Sequence, residues 1–404
     1  MLRAKCRKLT HPLLGQIFFD ERFSKILDMP CFFNLRYLSQ LGCLQFSPEF
    51  IAANRSRLQH SVGVYGIMQN LLHKIQNMIP LEIEFSNNVK DAMLLAALSH
   101  DIGHLPFSHT LERKDQISHE KRSIQILLEH KDKINEIFDY DIISLVITIL
   151  GDDDSYECKT NDLISCKILR PLLDGPIDCD RLEYVRTDRW TLFGIDKNFE
   201  SIFDYLALSY TNDIPTISFM HKSIPEIISF LKSRMNLYYH VYNSDFAIVP
   251  ELALRAFELY SLKNNSDITT LSESEITAKL SKFMVDKEAS LFERRCAEII
   301  LRGARDKILF RKFNDTTQFQ KFLFELQKYI PEELIFTETK KVEFYSGGIF
   351  IKEFNKIVDF SELINISYTK TLLHFIFVDI ELCQGICNSS HLKKLFNTHT
   401  NKVC

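Results

Sequence analysis

A mainly α chain with a small α+β lobe at its C-terminal end is the fold class this sequence predicts, and three observations carry it. Apolar residues recur at mixed three- and four-residue spacings over 58–75, 89–100, 119–136, 141–150, 163–173, 180–190, 223–243 and 249–262. That is the period of a helix with one buried face. Pro30, Pro48, Pro80, Pro106, Pro171, Pro176 and Pro215 fall between or at the edges of these segments, as helix punctuation does. The tail changes character. KVEFYSGGIFIKEF sets two apolar or β-branched runs around SerGlyGly, a hairpin signal, and LLHFIFVDIEL reads as a further strand.

Along the chain this implies an N-terminal segment, 1–45, that packs on a helical domain, 46–325, followed by the mixed lobe, 326–404. Within the helical part, NNSDITTLSESE is polar and reads as a surface loop leading into another helix. No internal repeat or low-complexity tract interrupts the order.

Composition bounds the function. A chain of 404 residues that is 46% hydrophobic buries a substantial core, as a soluble enzyme does. With 25% charged residues and a net charge of −4, no global basic field recruits nucleic acid, so a nucleic-acid partner is not required. The N-terminus mixes bases and apolar residues without an apolar run and cleavage site, which argues against secretion. The longest apolar runs, such as IISLVITIL, are too short to cross a bilayer, so no membrane partner is expected. Ten cysteines without a CxxC pair read as reduced, buried thiols of a cytoplasmic protein. The glycines form neither GxGxxG nor GxxxxGK[ST], so no Rossmann or P-loop phosphate cradle is expected.

His60, the adjacent His100 and Asp101, and Asp180 form a spaced set of metal-type ligands. Two imidazoles and two carboxylates suit a hard or borderline divalent ion, and neighbouring His100 and Asp101 both reach one ion from a single turn. Each residue alone is more often an unrelated polar group. The surroundings reverse that preference: SHDIGHLPFSH follows the apolar helix AMLLAALS, and His104 lies close enough to Asp101 to reach the same cavity. Two polar stripes accompany the set. Asp180, Tyr184 and Asp188 lie at i, i+4 and i+8 with Arg181 at the edge, and Arg234, Tyr238 and Tyr242 repeat that spacing. Arg57 sits three residues before His60, which puts a guanidinium beside the metal ligand, where it could hold a phosphate oxygen. Without the other motifs, these stripes read as ordinary amphipathic helix faces.

RLQHSVGVYGIM, LLAALSHDIGHLPFSHTLE, HEKRSIQILLE and DGPIDCDRLEYVRTD together resemble, in order and spacing, the HD-domain deoxynucleoside triphosphate triphosphohydrolases. The likeness extends upstream through HPLLGQI and LRYLSQLG and downstream through SRMNLYYHVYNS. Because the chain begins almost directly at HPLLGQI, a form without the SAM domain of the SAM and HD domain-containing branch is expected. The resemblance implies a helical HD metal phosphohydrolase core in which His60, His100, Asp101 and Asp180 carry a divalent ion, one of Mg, Mn, Fe or Zn. It places His104, His109, Glu112 and His119 around the attacked phosphorus, with His119 and Glu112 relaying protons and His109 or His104 nearest the leaving oxygen. Histidine suits such work near neutral pH.

By the same resemblance, Arg57, Arg181, Tyr184, Asp188, Arg234, Tyr238 and Tyr242 contact phosphate and nucleoside, and Gln40 and Leu41 lie against the sugar. The chain departs from the family at Glu112, where Asp is usual, at Arg181, which replaces Lys, and at Tyr238 and Ser244, which each replace His. Asp28, Arg36, Lys307 and Arg311 match charged positions of a nucleotide effector site between subunits, whereas Phe33 stands where a Gln reads guanine. An ordinary basic face is the competing account of Lys307 and Arg311. The implied activity is hydrolysis of dNTPs to deoxynucleoside and inorganic triphosphate by a homo-oligomer, dimer or tetramer, in nucleotide-pool balance or antiviral defence. Two alternatives stay open: an HD phosphodiesterase or nucleotidase acting on another nucleotide or a nucleic-acid end, and a catalytically reduced nucleotide-binding sensor.

Overall fold

The computed structural model describes residues 6–75, 85–112, 117–151, 160–211, 214–353, 356–364 and 371–397. It is mainly α, with the helices Arg57–Ile75, Asn87–Ser99, Ile142–Leu150, Asn161–Leu169, Cys179–Phe193 and Ile224–Leu237 around one large apolar core. The helix Asn87–Ser99 shows why these residues fold so. Ser86 caps its N-terminus by accepting from the Val89 amide, and Ala92, Met93, Leu95, Ala96, Ala97 and Leu98 are fully buried. Small side chains let neighbouring helices close on a rod that ends at His100.

The helical spacing read from the sequence holds, with local differences. The 119–136 segment is two helices, His119–Glu129 and Lys131–Phe138, meeting at His130. The 163–173 segment is the helix Asn161–Leu169 closed by a tight 3-10 turn, Arg170–Leu172, that carries Pro171. Ile224–Leu237 passes into a π-turn, Tyr238–Tyr242, closed by Asn243 N donating to Tyr238 O at 3.0 Å. The next helix starts at Asp245, earlier than expected, and contains Pro250 in its second turn. In the polar 264–275 stretch, Ser272 forms a capping box with Glu275 that starts the helix Glu273–Phe283. Pro80 lies outside the described residues.

The sheets depart further from expectation. Strands β1 (Arg7–His11) and β2 (Gly15–Phe19) form an N-terminal antiparallel hairpin. A second hairpin, β3 (Leu206–Thr211) and β4 (Ile214–Met220), interrupts the helical region, so Pro215 lies in a strand. Strand β5 is Ile308–Phe313, and the expected hairpin around SerGlyGly does not form. There β6 (Phe336–Val342) and β7 (Phe350–Glu353) belong to different sheets. Strand β7 joins β4 in parallel and β8 (Lys356–Asp359) antiparallel, giving the order β3-β4-β7-β8. Strand β9 (Thr371–Asp379), anticipated as LLHFIFVDIEL, is the buried centre of the sheet β5-β9-β6. Both larger sheets therefore draw strands from either side of residue 325, the expected edge of the lobe. Among the described residues no helix is long and apolar enough to cross a membrane.

Candidate active site

Three helix ends deliver the first cluster. His60 sits in the first turn of Arg57–Ile75, His100 caps the end of Asn87–Ser99, and Asp180 lies in the first turn of Cys179–Phe193. That last helix is capped by Asp178, whose carboxylate accepts from the Arg181 amide at 2.6 Å. His60 Nε2 stands 3.3 Å from His100 Nε2, 2.9 Å from Asp180 Oδ1 and 3.6 Å from Asp101 Oδ2. His100 Nε2 is 3.5 Å from Asp101 Oδ1 and 3.7 Å from Asp180 Oδ1.

These spacings fit a metal ion, because donors bound at about 2.0–2.2 Å lie about 3.0–3.6 Å from one another. The tautomers fit too. His60 Nδ1 donates to Glu183 Oε2 and His100 Nδ1 to the Ala97 carbonyl at 3.0 Å, so both Nε2 lone pairs face the shared space. His60, His100 and Asp180 lie close enough together to hold one cation, with Asp101 3.6 Å and 3.5 Å from the two imidazoles. Burial pulls the His60 imidazolium down, but Glu183 and Asp180 outweigh it and hold the group at about 10.

Asp101 also pairs with Arg57, both nearly buried, and Arg57 Nε donates to Ser108 Oγ at 3.0 Å. Burial would raise the Asp101 carboxyl, yet Arg57 and His100 take it well below the usual range. Arg57, expected on phosphate, thus lines the cavity with its charge already committed to a ligand carboxylate.

A second cluster adjoins the first. His104 Nε2 lies 3.2 Å from Asp101 Oδ1, and the rings of His104 and His119 stack with centroids 3.9 Å apart. His109 stands edge-on to both at 4.9 Å. Glu112 joins them: Oε1 accepts from the His119 amide at 2.6 Å, and Oε2 lies 3.1 Å from His109 Nδ1 and 3.3 Å from His119 Nδ1. Against the pull of burial, His109 and His119 lower the Glu112 carboxyl to about 2, so it is a carboxylate at any working pH. Burial and the Arg57 charge push His104 well below the ordinary imidazole range, and burial lowers His119 as well.

Two backbone features assemble this cluster. A Cβ on Gly103 would lie 2.3 Å from His119 O and 2.4 Å from Ser123 N, so only glycine lets the His119 helix approach. Phe107 and Ser108 adopt left-handed φ values of 57° and 58°, which side chains disfavour. Glu273, from a helix distant in sequence, holds that turn by accepting from Phe107 N at 3.0 Å and Ser39 N at 3.2 Å.

Both clusters open on one cavity of about 670 Å³. Gln40, Leu41, Arg181, Tyr184, Asp188, Arg234, Tyr238 and Tyr242 all line it, so the two stripes read from the sequence face each other. The π-turn places Tyr238 and Tyr242 there, with the Arg234 guanidinium 5.2 Å from the Tyr238 ring. Tyr242 Oη donates to Asp188 Oδ2 at 2.7 Å, and Asp178 holds Arg181. Gln40 Oε1, Arg234 Nε and Asn243 Nδ2 on this wall are buried without a hydrogen-bond partner among the described residues, as a wall built for a polar ligand would be.

The four expected effector residues do not gather within one chain. Asp28 pairs with Arg7 at 2.7 Å, and Arg36 lies over the Phe33 ring at 5.2 Å. Lys307 stands beside Asp306, and Arg311 lies over the Phe313 and Phe322 rings.

Sequence reading missed four residues: Glu183, Arg55, His11 and Glu273. Glu183 shared a helix face with Asp180 at i+3, the one local signal available. His11 opens the HPLLGQI motif, which assigned it no role, and Arg55 and Glu273 carried no signal.

Residues 57–169, from the His60 helix to the Asn161–Leu169 helix, match the family model described as HD domain. An uncharacterized protein of Mycoplasma pneumoniae is 27% identical over 60% of this chain and 57% of its own length. The chain thus spans a little over half of that curated relative. The deoxynucleoside triphosphate triphosphohydrolase SAMHD1 of Bos taurus is 34% identical over 26% of this chain and 17% of its own length. A crystal structure described as a phosphohydrolase from Bacteroides thetaiotaomicron shares the fold, with a TM-score of 0.70 at 19% identity over 93% of this chain and 100% of that one.

Proposed function

We propose that this protein is a metal-dependent phosphohydrolase that converts deoxynucleoside triphosphates into deoxynucleoside and inorganic triphosphate. One observation carries the reading. A single cavity is lined by His60, Asp101 and Asp180 of the metal-type set, by His104, His109 and His119, and by two guanidinium groups, Arg181 and Arg234, that lie outside the metal set. One phosphate does not need such a constellation; a triphosphate does. The local similarity to the SAMHD1 triphosphohydrolase supports the same substrate class.

A divalent cation held by His60, His100, Asp101 and Asp180 would supply Lewis acidity and acidify a water. The chain's own residues do the rest. Arg181 and Arg234 bind and neutralise the phosphates, with the Tyr184 and Tyr238 rings as walls. Asp188, oriented by Arg55 and Tyr242, accepts a sugar hydroxyl, and Gln40 and Leu41 pack on the sugar. Water oxygen bonds to the α-phosphorus as the bond to O5′ breaks. The Glu112 carboxylate and His119 take the proton the attacking water loses, and His109, beside Glu112 and next to His104, delivers one to O5′, so the water's proton ends, in net, on the deoxynucleoside.

The test is chromatographic product analysis with the full chain, the four dNTPs and Mg, Mn, Fe(II) or Zn. Deoxynucleoside plus triphosphate is expected. Pyrophosphate or single phosphate as product, or no turnover under any metal, overturns the proposal. The homo-oligomer rests on the SAMHD1 similarity, and its response to nucleotide effectors on the match of Asp28, Arg36, Lys307 and Arg311 to charged family positions. A monomer at all concentrations, with and without nucleotides, would refute it.

A further inference from the structure

We infer that the N-terminal hairpin is an outer layer of the metal centre, coupled to it through a buried relay His11–Glu183–His60. The inference rests on the metal reading of the His60 cluster and is independent of the substrate.

Glu183 is 1% exposed, as deeply buried as His60. A carboxylate there costs several kcal/mol unless each oxygen is fully engaged. Its Oε2 accepts from His60 Nδ1. Its Oε1 accepts from Arg55 Nη1 at 2.5 Å and Thr187 Oγ1 at 2.9 Å; His11 Nε2, buried and without a hydrogen-bond partner of its own among the described residues, stands 3.3 Å from the same oxygen, in electrostatic contact only. The backbone makes room for this carboxylate: a Cβ on Gly63, one turn beyond His60, would lie 2.7 Å from Glu183 Cγ and 2.8 Å from Oε1.

The His11 ring is oriented by its own strand end. Nδ1 accepts from the Leu13 and Leu14 amides, both at 3.3 Å, in the turn between β1 and β2. A neutral imidazole with Nδ1 accepting carries its proton on Nε2, the atom that faces Glu183. The order is therefore turn amides, His11, Glu183, His60, and finally the lone pair offered to the cation. Glu183 makes His60 more basic as a ligand and fixes its ring, and His11 with Arg55 fixes Glu183. These are positioning residues; none touches the reacting atoms. Because binding free energies are reciprocal, a cation on His60 also tightens the hairpin.

The experiment measures Zn²⁺ and Mn²⁺ affinity of the full chain by equilibrium competition with a chromophoric chelator. It also follows backbone amide exchange of Leu13 and Leu14 with and without metal. Glu183→Gln is expected to weaken binding about 10–100-fold and His11→Leu about tenfold. His11→Gln, whose amide both accepts and donates, should restore affinity to within about twofold of wild type. In the Glu183→Gln background, His11→Leu should add less than about twofold, since both act through one carboxylate. Metal should slow exchange at Leu13 and Leu14. Wild-type affinity in a folded His11→Leu variant, or unchanged exchange on metal binding by wild type, overturns the relay. A wild-type protein that binds neither ion overturns the metal reading itself. The exchange measurement needs no variant, so a misfolded substitution does not protect the inference.

Discussion

Replacing Asp101 by Asn has an expected sign that separates this site from a simple acidic metal cage. In a cage of mutually repelling carboxylates, removing one charge stabilises the metal-free protein. Here the Asp101 carboxylate pairs with Arg57, and their side chains are 7% and 5% exposed. Asn keeps the shape but strands a buried guanidinium, and breaking such a pair costs about 3–5 kcal/mol. At about 2.1 cal/mol/K per residue, a 404-residue chain unfolds with about 0.85 kcal/mol/K. The metal-free melting temperature should therefore fall by about 4–6 °C. Wild type gains about 4 kcal/mol, or about 5 °C, from metal at a thousandfold excess over Kd, and the variant should gain far less. Calorimetry with a chelator and then with Mn²⁺ reads both quantities. A metal-free Asp101→Asn protein melting at or above wild type would show that Arg57 does not depend on Asp101.

Three further outcomes follow from the second cluster and the cavity wall. Glu112→Gln should lower kcat about 10²–10⁴-fold, the scale of a lost acid–base relay, with product release followed by chromatography. Its stability effect has a sign: the folded carboxyl, at about 2, lies below the unfolded value of about 4.3. The wild-type advantage should thus be full above about 4.3 and vanish as pH falls through about 2 in urea unfolding; an advantage persisting below that refutes the assignment. Gly103→Ala must push the His119 helix away, because its new methyl meets backbone at 2.3 Å. Loss of turnover with retained metal binding is expected, and normal kcat would refute the close approach. Arg234→Ala should raise KM for a dNTP about 10–100-fold, as loss of a hydrogen bond to a charged group does. An unchanged KM would remove Arg234 from the phosphate site.

Much of the candidate site was legible because its groups lie in short, dense motifs. His100, Asp101 and His104 follow one apolar helix, and Asp180, Tyr184 and Asp188 share one helix face. Periodicity sufficed for them, since 3.6 residues per turn is a local property. It also found most helices and the central strand β9. It failed where the partner decides. Val342 and Phe350 flank SerGlyGly as a hairpin would, yet β6 pairs with β9 and β7 with β4 and β8. A strand's local pattern shows that it seeks an edge, never which one. Strands β3 and β4, with Pro215 inside, were unreadable for the same reason.

What the sequence by itself determined is thus the helical class, the metal-type ligand set and the stripes of Arg, Tyr and Asp that accompany it. Only the tertiary structure decided that these meet in one cavity and that Arg57 belongs first to Asp101. It alone brought Glu183 to His60 across 123 residues and made Glu273 the brace of the left-handed turn at Phe107. Buried charge explains the difference. A carboxylate in the interior must find its donors wherever the packing brings them, and local spacing carries no record of that distance.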